Sequence, residues 1–409
     1  MTWSRVQLRR VAKLGTGHTP SRQHPEYWEQ CTIPWLTLSD VWQLRDGTRQ
    51  VVEKTAESIS ELGVANSSAV VHPAGTVALS RTASVGFSCI LGRAMATSQD
   101  FATWTCGPLL NNRYLLWALR AMPEIITSLK MGSTHQTIYM PDIEGLSVPL
   151  PPLATQHSLA DYLDADTARI DALIAKKRRM IELLDERFEA RLTKHLFERN
   201  DPWASLARAC RCLPGYSFAS QEMMTTPEDG IRLLRGVNIG VGAIRWEDVV
   251  YYPESSAAGV SDYTLQVGDL VVGMDRPVIA DGMRVARIES DDVPALLVQR
   301  VARVRANERT SNDYLRFLLM SRAFVSHYSP ITTGVSVPHI SAEQIMSFRF
   351  PLPSPEQQEA IIRDLSGAER STRNTVRALD RQIGLLVEHR QALITAAVTG
   401  EFAVPGVAA

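Results

Sequence analysis

Pro149-Leu150-Pro151 returns 202 residues later as Pro351-Leu352-Pro353, and after each the chain turns from mixed to strongly helical. The same offset pairs Gly132 with Gly334, Ile138 with Ile340, Ile143 with Ile345 and Gln156 with Gln358. It continues through Leu163/Leu365, Leu183/Leu385 and Leu184/Leu386. Upstream the offset drifts, as small insertions would make it: Tyr114-Leu115 matches Tyr314-Leu315, Ile33–Leu36 matches Ile231–Leu234, and Trp3 matches Trp203. A run of pairs in constant order reads as a tandem duplication. Each copy holds about 150 mixed residues followed by about 45 helical ones, within the ordinary size range of domains.

The helical parts start just after the proline-rich segments, where proline is tolerated only in a first turn. The second carries a seam at alternating spacings of three and four: Val376, Leu379, Ile383, Leu386, Arg390, Leu393 and Ala397. Shifted back, the seam reads Ile174, Lys177, Ile181, Leu184, Phe188, Arg191 and His195, with more polar interruptions. Two equivalent seams bury each other, and antiparallel pairing returns the chain to the opposite end. At ~1.5 Å per residue each rod is ~60 Å long. In the mixed parts, Ala69–Val71 and Thr76–Leu79 read as short strands, matched by Tyr263–Val267 and Leu270–Val272 around a Gly268-Asp269 turn. Asn111 to Met122 reads as a helix capped by asparagine and ended by Pro123, and its partner runs from Asn312 to about Val325.

Composition narrows the function. Of 409 residues 45% are apolar, which excludes global disorder, and 43 Lys+Arg against 44 Asp+Glu give a net charge of -1, which excludes a simple polybasic protein. Five scattered cysteines are no disulfide framework and suit a reducing cytosol. No apolar run approaches a membrane span, and no secretory signal is expected at the start. There is no phosphate loop, no Gly-x-Gly-x-x-Gly, no His-Glu-x-x-His and no Gly-x-Ser-x-Gly. Asn111-Asn112-Arg113-Tyr114 lacks the prolines of an amino-methyltransferase motif. Cys210-Arg211-Cys212 lacks the spacing and the second pair of a zinc site. No catalytic and no metal residue is assigned.

What remains is polar and loop-borne. The first copy offers Thr16, His18, Thr19, Ser21 and Arg22 in one glycine-rich loop. Arg81, Thr82 and Ser84 form a second cluster, and Ser133, Thr134, His135 and Gln136 a third. At comparable places the second copy has Ser217, Arg235, Asn238, Arg276, Thr332, Thr333 and Ser336. Arginine pairs with guanine, Asn and Gln with adenine, and hydroxyls with several base edges in the major groove. A repeated frame with changed loops is what two domains reading two different short DNA sequences would need. Lys176-Lys177-Arg178-Arg179 is the strongest basic run, but helical periodicity spreads it around the rod.

The chain resembles the specificity subunits of type I restriction-modification systems. The resemblance rests on Ser147–Leu153, Gln156, Leu159–Asp164, Thr167–Ile174, Ile181–Arg187, Leu393–Gly400, and Gly17–Ser21 followed by Tyr27-Trp28 and Ile33–Leu36. It departs at Ala154-Thr155, where an acidic residue is usual; the second copy keeps Glu356. It implies an α+β chain: two tandem α/β target-recognition domains separated by two long antiparallel coiled-coil helices, with a pseudo-two-fold internal repeat. The expected divisions are a first recognition domain 1–152, spacer helix 153–200, second domain 201–353, spacer helix 354–400 and tail 401–409. It also implies a non-catalytic subunit that reads a bipartite asymmetric site on double-stranded DNA in the cytoplasm. Two methyltransferase subunits dock on it, and two motor-nuclease subunits can join. S-adenosylmethionine, ATP and Mg2+ then belong to those partners, and this chain binds no cofactor. The competing readings are a protein scaffold with two adaptor domains and an atypical endonuclease with an unrecognised carboxylate site.

Overall fold

The computed structural model describes residues 3–132, 136–279, 282–332 and 338–401. It divides into two units, residues 1–179 with 379–409, and residues 180–378. Two helices of 44 and 45 residues, Leu153–Leu196 and Pro355–Thr399, each contribute one part to each unit.

In the first unit Ala12–Thr16 and Val77–Ser80 flank Phe101–Cys106 on either side, all antiparallel, and Ser88–Leu91 follows Val77–Ser80. A second sheet sets Ile33–Leu36 parallel to Met95–Thr97. Arg5–Gln7 closes onto Ser147–Pro149 just before the long helix. The second unit repeats each arrangement. Cys210–Pro214, Val301–Ala306, Leu270–Gly273 and Val285–Arg287 make the first sheet. Gly230–Leu234 lies parallel to Ala295–Leu297, and Trp203–Ser205 pairs with Arg349–Pro351. The duplication is therefore present in strand order, direction and register.

The helices are cut where local chemistry demands. Asn111 caps Asn112–Arg120, its side chain accepting from the Tyr114 amide at 2.9 Å. Pro123 then starts a fresh helix, Pro123–Ser128. In the second unit the expected single helix is two, Asn312–Met320 and Arg322–Thr332. No proline forces that break. Ser321 is extended there, and its hydroxyl accepts from the Phe324 amide at 3.3 Å, capping the second piece. The expected strand Tyr263–Val267 is also absent. A 3-10 segment, Glu254–Tyr263, leads into an isolated bridge from Thr264 to Leu296, and regular pairing begins at Leu270.

A buried glutamine joins each long helix to its unit. Gln156 accepts from the Asn111 amide and donates to the carbonyls of Leu109 and Pro151. Gln358 accepts from Thr310 and Ser311 and donates to the carbonyls of Arg309 and Pro353. Nearby, the Tyr114 hydroxyl donates to Pro149 and the Tyr314 hydroxyl to Pro351.

Within the first unit the helix halves run antiparallel: Asp171 pairs with Arg390 at 3.0 Å and Lys177 with Gln382 at 2.6 Å. Leu159, Ala160 and Leu163 share a core with Ile394, Ala397, Val398 and Trp117. In the second unit Leu192 and Leu196 share a core with Ile361, Leu365 and Phe317, and Arg191 and His195 both meet Asp364. Along the seam Ile174 and Leu379 are buried, while Ile181, Leu184, Phe188, Val376, Ile383, Leu386 and Leu393 are half-buried.

Candidate functional site

Strand register decides which loops meet. In the first unit Thr16 faces Ala102 and Ser80 faces Phe101, so residues 17–22, 81–87 and 98–100 all leave one end of one sheet. Leu36 faces Thr97, and the His18 amide donates to the Thr97 carbonyl at 3.1 Å. Thr82 and Met131 both bridge to Thr137, and the Ala83 amide donates to the Gln136 carbonyl at 2.8 Å. The first two sequence clusters and Gln136 of the third thus share one rim.

The second unit builds the same rim. Pro214 faces Ala302 and Gly273 faces Val301. Leu234 faces Leu297, and the Tyr216 amide donates to the Leu297 carbonyl at 3.0 Å. Backbone hydrogen bonds then give residue-by-residue equivalences. Arg81 donates to Asp100 and accepts from Ile138, as Met274 donates to Arg300 and accepts from Ile340. Thr82 bridges to Thr137 as Asp275 bridges to His339. Ala83 donates to Gln136 as Arg276 donates to Pro338, both with left-handed φ, +57° and +44°. The two arginines singled out from sequence, Arg81 and Arg276, therefore occupy different rim positions.

The side chains divide into exposed groups and groups committed to the frame. His18, Arg22, Gln136, Ser217 and Arg276 are exposed. Arg22 pairs with Glu57 at 3.1 Å and lies 4.3 Å over the ring of Trp28, whose indole donates to the Ser21 carbonyl. The Ser21 hydroxyl accepts from the Gln23 amide, and Thr19 donates to Gln99 at 2.7 Å. Thr16 donates to the Phe101 carbonyl. Arg81 is half-buried and donates to the Ile138 carbonyl at 3.2 Å, and the Ser84 carbonyl accepts from Ser80. Thr82 is half-buried. Arg235 is tied to Asp248 at 2.8 Å. Asn238 is 1% exposed, its amide donating to Arg245 and Asp248 and its oxygen accepting from Arg235. That side chain is saturated within its own turn. Ser133, Thr134, His135, Thr333 and Ser336 lie outside the described residues, as does the side chain of Thr332.

Sequence reasoning missed part of the second rim. Arg300 and His339 both reach the Asp275 carboxylate, at 3.3 and 2.6 Å. Arg284 donates to the carbonyls of Ile239 and Asp275, and burial pulls its pKa down against the pull of Asp275. One arginine and a histidine therefore meet the Asp275 carboxylate, while Arg284 holds its backbone carbonyl. The two pairings span 25 and 64 residues, so no local motif announced them.

Such rims present hydrogen-bond donors to an acceptor-rich surface, which suits phosphates and base edges. Burial pushes the thiols of Cys89, Cys106, Cys210 and Cys212 up to about 12. Among the described residues no group of His, Cys, Asp or Glu is placed to hold a metal, and no helix is long and apolar enough to cross a membrane. In the basic run Lys177 is half-buried on the seam, while Lys176, Arg178 and Arg179 are exposed.

Comparison with known proteins agrees with this architecture. Residues 1–183 match the family described as the type I restriction modification DNA specificity domain. The specificity subunit of the type I restriction enzyme MjaVIII of Methanocaldococcus jannaschii is 26% identical over 279 residues, covering 64% of each chain. That of EcoAI of Escherichia coli is 37% identical over 161 residues, 39% of this chain and 27% of the relative. The matched regions thus span less than two thirds of either relative. A chain from a solved type I R-M system superimposes with a TM-score of 0.77 at 15% identity, covering 98% of both chains. The HsdS subunit from Thermoanaerobacter tengcongensis gives 0.55 at 16%, covering 98% and 97%. At these identities the likeness is one of fold.

Proposed function

We propose that this chain, whose residues 1–183 match the type I restriction modification DNA specificity domain, is the DNA-reading subunit of a type I restriction-modification complex. One rim reads each half of a bipartite, asymmetric site on double-stranded DNA. The observation that carries this is the duplicated rim, whose main-chain pairings recur while its side chains change: Ala83 against Arg276, Asp100 against Arg300, Thr137 against His339. A shared frame with different donors is what an asymmetric target requires.

On this reading the long helices, at ~1.5 Å per residue, set the unspecified spacer and dock two methyltransferase subunits. Two motor-nuclease subunits join where the system restricts. This chain catalyses nothing and binds no cofactor; S-adenosylmethionine, ATP and Mg2+ serve the partners, in the cytoplasm. With a net charge of -1, it depends on those partners for much of its phosphate contact and counterion release. The test is methylome sequencing of the source cell with and without the gene. Loss of adenine methylation at one split asymmetric motif is the expected result. An unchanged methylome in cells that express the complex refutes the reading.

A further inference from the structure

Each rim begins with a glycine driven against the neighbouring strand. A Cβ on Gly17 would sit 1.7 Å from the Thr97 carbonyl oxygen, and one on Gly215 would sit 2.1 Å from that of Val298. Neither glycine has left-handed φ, so close approach, not backbone freedom, demands it. The amide of the next residue then donates to the neighbouring strand, His18 to Thr97 and Tyr216 to Leu297, and the Tyr216 carbonyl also accepts from the Gln299 amide. Both carry an exposed ring able to donate and accept hydrogen bonds. Tyr216 is 41% exposed although its ring packs edge-on against Phe218 at 5.0 Å and against Tyr263 at 5.2 Å. A polar aromatic held rigidly from behind, with its face to solvent, is poorly explained by packing alone. Its orientation is set before any ligand arrives, which lowers the ordering cost of recognition.

We infer that His18 and Tyr216 are equivalent specificity-determining side chains, one for each half-site, and that Gly17 and Gly215 are the positioning residues that hold them. The inference rests on the DNA-reading function proposed above. It adds the Tyr216 side chain beside Ser217, the candidate read from sequence in the same loop, and it pairs it with His18 through the shared backbone bond. The second rim therefore reads with a phenol where the first reads with an imidazole.

The experiment uses the full chain in complex with its methyltransferase subunits. Binding and methylation are measured at fixed salt on the cognate duplex, on duplexes with single base pairs changed in either half, and on unrelated DNA. Tyr216→Ala is expected to lower discrimination about tenfold or more in one half only, leaving the other half and unrelated DNA unchanged. His18→Ala does the same in the opposite half. Tyr216→Phe separates the hydroxyl from the ring. Gly215→Ala reproduces the Tyr216→Ala pattern although the tyrosine remains. Should it fail to fold, the two alanine variants decide. Unchanged discrimination in folded Tyr216→Ala and His18→Ala overturns the inference. So does a uniform loss that includes unrelated DNA, which assigns these residues to phosphate or structure. A wild-type complex that discriminates no sequence removes the underlying function itself, a result distinct from either.

Discussion

Replacing Gln156 by leucine tests the joint between the first long helix and its unit. The two side chains are close in volume, so the perturbation is chemical rather than steric. Gln156 is 0% exposed and makes three hydrogen bonds of 2.8–2.9 Å, to the Asn111 amide and the carbonyls of Leu109 and Pro151. Leucine answers none of them. Leu109 is 63% exposed, so its carbonyl is best placed to turn to water, leaving the Asn111 N–H and the Pro151 C=O. Two orphaned groups at about 1–3 kcal/mol each, less about 1 kcal/mol for added apolar burial, give a net loss of about 3 kcal/mol. By hydrogen exchange, protection across residues 109–118 should fall by about two orders of magnitude. Protection across 309–318 should hold. Gln358→Leu should reverse the pattern, because Gln358 makes the equivalent bonds to Thr310, Ser311, Arg309 and Pro353. Undiminished protection at 109–118 in a folded variant would refute the reasoning, as would equal loss in both units.

Three further outcomes are expected. Deleting one heptad from each long helix shortens each rod by ~10 Å and should change or abolish the tolerated spacer; an unchanged spacer and affinity would dispose of the ruler. Arg81→Ala removes a donor from the Ile138 carbonyl and should weaken discrimination about tenfold in one half-site, with binding to unrelated DNA preserved. A uniform loss on all duplexes would make Arg81 a phosphate contact instead. Burial holds the Glu189 carboxyl above its ordinary 4.5, against a hydrogen bond from the Arg322 backbone. A raised folded value means that the native unit loses stability as pH climbs from 4.5 through that value. Glu189→Gln should therefore be the more stable form at neutral pH, with the gap closing below 4.5, read from urea midpoints. A gap that widens on acidification would contradict the sign.

Much of the frame is legible without coordinates because it is written locally. The proline-to-helix transitions, the Asn111 cap and the seam from Ile174 to Leu393 each need only a few consecutive residues and a period. Where local rules were silent, the reading slipped. The break at Ser321 follows the packing of Phe317, Leu318 and Phe324 into one core, with a serine supplying the cap that Pro123 makes unnecessary in the first copy. Asn238 looks like a base-reading amide in sequence, yet folding spends it on Arg245 and Asp248.

The sequence by itself determined the duplication, the two long helices, their shared seam and the lack of local catalytic motifs. All of these are periodic or contiguous, so single-chain patterns suffice. Only the tertiary structure decided which loops share a rim and which rim residues correspond. Between the copies Arg81 aligns with Met274 while Thr137 aligns with His339, so the offset itself changes along the chain. Strand register is set by pairing partners about 10 to 90 residues apart, and a one-residue slip would exchange every side chain between faces. That long-range choice, not any motif, brings Tyr216, Arg276, Arg300 and His339 into one unit's rim.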